Sequence, residues 1–172
     1  MLLYAMNNVF ERRRQDSLNI RNLITEILKD ISPFLQNNFS SLNIENYEFT
    51  SNEAIEELGL DAELIDQLIG DYIKQILQSK EQFVQYLESL KIAKEKSQKL
   101  DYTDLWELAH KNLGVARNLR IIDATKILDE LMKKDDLDYL ELCIDALIFC
   151  IVRLNPKYAY ESLVLMKIKD SF

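Results

Sequence analysis

The chain has 172 residues, 48% of them apolar, enough for a domain with a substantial core and extra length at one end. Its 29 acidic residues outnumber 21 basic ones, for a net charge of −8, which argues against nucleic acid as a partner, because binding that backbone depends on concentrated positive charge. With only 3 Gly and 2 Pro, long helices are expected rather than many strands and turns, and so an all-α fold.

The opening Met1-Leu2-Leu3-Tyr4-Ala5-Met6 is apolar, but Asn7 and Asn8 interrupt it and the basic run Arg12-Arg13-Arg14 follows it. A signal peptide carries its positive charge first, and a spanning helix is longer, so neither is expected, nor is membrane contact. A small amphipathic helix fits better. Leu2, Leu3, Met6, Val9 and Phe10 would give it a stripe through which two copies could form a homodimer.

Ile20, Leu23, Ile24, Ile27, Leu28 and Ile31 recur at helical spacing, and Pro33 is expected to end that run. The polar connector from Ser40 to Thr50 marks a boundary, with an N-terminal helical extension over 1–50 and the main bundle over 51–155. Thr50 and Glu53 fit a capping box before a short segment ending at Gly59. Asp61 can cap a helix with the stripe Leu64, Ile65, Leu68, Ile69, Tyr72, Ile73, Ile76 and Leu77. Ser79 and Gln82 offer a second capping box, so a bend or a new helix is expected there, with Phe83, Val84, Leu87 and Leu90 continuing the apolar face.

Asp101 is expected to cap a helix from about Tyr102 to Leu119, and another helix should run from about Ile122 to Met132. Asp135 or Asp136 opens the last long one, Leu137 to Leu154, which Asn155-Pro156 terminates. Four such helices with short links point to an antiparallel four-helix bundle. The tail over 156–172 does not declare itself as strand, helix or disordered chain. Cys143 and Cys150, seven residues apart in a helix, would be roughly 10 Å apart, too far for a disulfide. They read as buried, reduced thiols, which suits a cytoplasmic protein.

His110 is the only histidine. With His110 at the origin of a helical wheel, Leu105, Leu108, Val115, Ala116 and Leu119 fall within about 60° of the opposite pole. His110 should therefore point away from the core. Trp106 and Leu113 lie one turn away on one side, Gly114 one turn on, and Arg117 two turns on and nearly in line. A mid-helix glycine costs up to about 1 kcal/mol relative to Ala. Close approach of another molecule beside His110 would offset that cost, as would tight helix packing. Trp106 and Leu113, taken as exposed, suggest a docking surface.

The stretch Ala109-His110-Lys111-Asn112-Leu113-Gly114-Val115-Ala116-Arg117-Asn118-Leu119 resembles the active helix of histidine-containing phosphotransfer (HPt) domains. His110, Gly114, Ala116, Asn118 and Leu119 stand where that family's pattern expects them, and Leu58-Gly59-Leu60-Asp61 through Tyr72 is similar to the entry to its first bundle helix. The resemblance spans roughly Ser51 to Leu154. It departs at Leu113, where the family has lysine, at Asn112, normally apolar, and at Arg120, normally glycine.

The resemblance implies a phosphorelay intermediate of two-component signalling, a phosphocarrier without an ATP site of its own. His110 would be the phosphoacceptor, with Lys111 or Arg117 in place of the family lysine and Trp106, Glu107, Leu113 and Gly114 meeting the partner. That partner would be a response-regulator receiver domain or a hybrid sensor kinase. No cofactor is implied on this chain, since the receiver supplies the aspartate and the metal ion. A neutral imidazole is a competent nucleophile, and phosphoryl transfer needs mainly alignment and charge stabilisation. The alternative is a helical adaptor that binds a signalling partner through the Trp106/Leu113/Gly114 face without transferring phosphate. Glu107-Leu108-Ala109-His110 also matches one Glu-x-x-His step of di-iron bundles, but such sites need two.

Overall fold

A computed structural model describes residues 20–169, with side-chain burial omitted for several residues near both ends. Everything with regular structure among them is helical, and no helix there is long and apolar enough to cross a membrane. The expected homodimer stripe at Leu2 to Phe10 lies outside the described residues. The chain divides into two compact units between Asn46 and Tyr47.

In the first unit, α1 (Ile20–Phe39) runs straight through Pro33. This corrects the expected stop. Proline removes one backbone donor and bends a helix without having to end it, and the buried stripe Ile31, Leu35 and Phe39 continues across it at four-residue spacing. A 3-10 turn at Ser40–Leu42 follows and closes on Asn43 in the left-handed region, φ 50°. The Ser32 hydroxyl donates to the Glu45 carbonyl at 3.1 Å.

The second unit begins with α2 (Asn52–Leu58), which ends on Gly59 at φ 63°. The Thr50/Glu53 capping box is not formed. The helix starts after Ser51, with no side-chain cap bond. Asp61 does cap α3 (Ala62–Glu95), accepting from the Leu64 amide at 2.8 Å. At 34 residues this helix passes Ser79 without a break, correcting the second expected box. There the hydroxyl donates back to the Gln75 carbonyl at 2.8 Å, a local bond that serine makes equally well inside a helix. The buried stripe runs from Ile65 to Leu90, while Leu64 and Val84, which fit the apolar pattern, are exposed.

Next come α4 (Thr103–Asn118), α5 (Ile122–Lys133), α6 (Leu137–Leu154) and α7 (Pro156–Lys169). Asp101 accepts from both the amide and the hydroxyl of Thr103, and Asp136 accepts from the Tyr139 amide at 2.9 Å. The undeclared tail is thus a helix to Lys169. Packing is pairwise: α3 on α4, α4 on α5, α5 on α6, and α6 back on α3, with α7 against α3 and α6. The core of this unit is dominated by α6, which buries eleven side chains, including Cys143 and Cys150, both free thiols. Tyr158 of α7 seats against Gly70 of α3, its ring 3.3 Å from where a Cβ would stand. An ion pair joins the buried Asp123, at the start of α5, to the half-buried Arg153, at the end of α6, at 2.8 Å.

Candidate functional site

α4 buries Leu105, Ala109, Asn112, Leu113, Ala116 and, just past its end, Leu119. On the wheel those positions centre about 120° from His110 rather than directly opposite it. The expected stripe weighted large apolar side chains and so included Leu108 and Val115, which are half-buried, and omitted Ala109 and Asn112. The rotation leaves His110 on the exposed arc but carries Leu113 across the border. Leu113 is 2% exposed. This corrects its expected place on the docking face, and it is instead a core contact.

Asn112 is fully buried, and its polar atoms are paired. Its amide donates to the Leu108 carbonyl at 2.8 Å, its Oδ1 accepts from Gln75 Nε2 at 2.7 Å, and its backbone carbonyl accepts from the Tyr72 hydroxyl at 3.3 Å. A polar residue on the core side of α4 therefore locks α4 to α3 instead of leaving a buried group unsatisfied. Burial pushes the Tyr72 phenol well above its ordinary value.

The exposed arc of α4 carries Trp106, Glu107, His110, Lys111, Gly114, Arg117 and Asn118. No hydrogen bond or ion pair engages the side chains of His110, Lys111 or Glu107 among the described residues. Around Gly114 there is open space: a Cβ built there meets nothing within 4 Å. Tight packing therefore does not account for this glycine. Trp106, 40% exposed, stacks on Tyr102 with ring centroids 5.5 Å apart and planes 16° from parallel. Tyr102 is itself held by its hydroxyl, which donates to the Asp135 carbonyl at 2.9 Å. The indole stands on a fixed platform at the rim of the His110 face.

Arg117 is paired with Asp129 of α5 at 3.1 Å, and Lys133 approaches the other oxygen of the same carboxylate at 3.8 Å. Sequence reasoning missed Asp129, because nothing in one helix's periodicity announces a partner on the next. Tyr102 was findable, since an aromatic pair at i and i+4 meets on a helix face.

α4 ends in a left-handed residue. Arg120 has φ 56°, and the Ile121 amide bonds the Ala116 carbonyl at 3.0 Å, a pattern that usually employs glycine. Here an arginine holds that left-handed conformation, and its side chain does other work. Its guanidinium pairs with Glu57 of α2, and hydrogen bonding to that guanidinium holds the Glu57 carboxyl below its usual range. Tyr47 clamps the same corner, donating to the Arg120 carbonyl at 3.0 Å and accepting from the Ile122 amide at 3.3 Å.

No group of three His, Cys, Asp or Glu side chains among the described residues could hold a metal ion. No protein-family model matches the chain, and neither the curated proteins nor the solved structures contain a match to it.

Proposed function

We propose that the chain is a phosphocarrier of a two-component phosphorelay, taking a phosphoryl group on His110 from the aspartate of a receiver domain and returning it to another. The observation that carries this reading is the exposed imidazole beside the open space at Gly114, one turn along the same helix face. A receiver domain needs that room to bring its aspartyl phosphate and metal ion in line with the imidazole. Lys111 and Arg117 supply positive charge on the same arc. The closed order of packing through α3, α4, α5 and α6 supports a four-helix bundle of the HPt kind, and the left-handed Arg120 supports the alignment of α4 with the family's active helix. Buried reduced thiols suit a cytoplasmic setting.

The test is to incubate the purified protein with phosphorylated receiver domains and follow the label. An acid-labile, base-stable phosphate on His110, abolished in His110→Gln, is expected. No label from any cognate receiver would sink the reading. The platform-mounted Trp106 favours a second reading, a helical adaptor. That protein would bind its partner equally well as His110→Gln and would never carry label.

A further inference from the structure

We propose, building on the phosphocarrier reading, that Arg117 is a switched cation: Asp129 parks it while His110 is bare, and it swings across the Gly114 gap to the phosphoryl group once His110 is loaded. Arg117 follows His110 by seven residues, two turns on and within about 20° of it around the axis. Side chains on a helix lean toward its N-terminus, so the Arg117 stem points back along the face toward His110. Between the two lies Gly114, and nothing occupies the place of its missing Cβ. Gly114 therefore puts no side chain in the way of the guanidinium over that turn.

At rest the guanidinium is held off that track by Asp129, at 3.1 Å. This hold is weak. The Arg117 side chain is 53% exposed, and Asp129 shares its charge with Lys133 at 3.8 Å, so the pair is of the solvent-screened kind that contributes little. A phosphoryl group carries roughly two negative charges and three acceptor oxygens that suit a planar guanidinium. It outcompetes a single, shared carboxylate. Asp129 is then a positioning residue that acts through Arg117: by pulling the cation back, it limits how tightly the phosphoryl group is held and keeps it available for onward transfer.

The experiment loads His110 chemically with phosphoramidate, whose P–N bond breaks as the imidazole nitrogen–phosphorus bond forms and ammonia leaves with the imidazole proton. This bypasses the receiver domain. The half-life of the phosphohistidine and the pH midpoint of its phosphorus-31 resonance are then measured. Asp129→Asn should lengthen the half-life about threefold or more and lower the midpoint, because the freed cation favours the dianion. Arg117→Ala should shorten the half-life and raise the midpoint. The double variant should match Arg117→Ala. Any other order of half-lives, an unmoved midpoint, or a His110 that takes no phosphoryl group from phosphoramidate overturns the switch. Failure of every receiver domain to label a protein that phosphoramidate does load overturns the phosphocarrier reading instead.

Discussion

Gly114 gives up local stability and leaves open space beside it. It sits inside a regular helix with nothing near its absent side chain, so alanine there removes backbone entropy from the unfolded chain without a clash. Gly114→Ala should raise unfolding free energy by up to about 1 kcal/mol in urea titrations. If the space serves a visiting domain, the same change should weaken transfer from a phosphorylated receiver. Asp145 of α6 gives a second residue-scale expectation. Burial, and then the charge of Glu141, raise its carboxyl to about 6, above the value of about 4 for an unfolded chain. The folded state therefore holds that proton more tightly. The contribution is fully favourable below about pH 4 and is lost as pH rises through about 6. Asp145→Asn should remove that slope and stabilise the protein at pH 7.5 by on the order of 1 kcal/mol, after allowance for partial exposure. Denaturation midpoints across pH 4–8 test it.

The helices themselves show what a sequence conceals. Charged starts were legible where a carboxylate does the capping, as at Asp61 and Asp136, whereas Asp101 stands one residue outside the cap position, which Tyr102 takes, and bonds Thr103 from there. Hydroxyl starts misled. Ser79 bonds back within its own helix and Thr50 caps nothing, because serine and threonine serve either purpose and only tertiary packing chooses. Pro33 misled for a similar reason, since the buried stripe beyond it outweighs one lost backbone bond. The outward aim of His110 was legible because it needs only the rough direction of the core. The burial of Leu113 was not, because it depends on a rotation of about 60° set by where α3 and α5 lie. Tyr47 is the sharpest omission, a loop residue whose hydroxyl holds the turn between α4 and α5. Tyr47→Phe should cost about 1 kcal/mol, read by chemical denaturation, with the overall helix content unchanged.

At the scale of the whole second unit, α5 and α6 are fixed in register by the Asp123–Arg153 pair. Asp123 is 1% exposed and the Arg153 side chain 18%. Sliding either helix by a turn would strand a buried carboxylate, an expensive error. Arg153→Met should therefore destabilise the fold by about 3 kcal/mol, far more than loss of the exposed Lys91–Glu141 bridge. Cys143, whose thiol burial pushes up to about 12, and the wholly buried Cys150 should resist alkylation until that unfolding occurs, as mass spectrometry would show.

The notch at Gly70 has a consequence for how the last helix comes and goes. Of the α7 side chains described, only Ala159 and Ser162 are buried, and a phenol ring lodged where no β-carbon stands adds to their grip. A helix with so little buried side chain among its described residues is released early. The final helix should shed its amide protection before the rest of the unit, peeling away as a separate leaf while the helices beneath it stay closed.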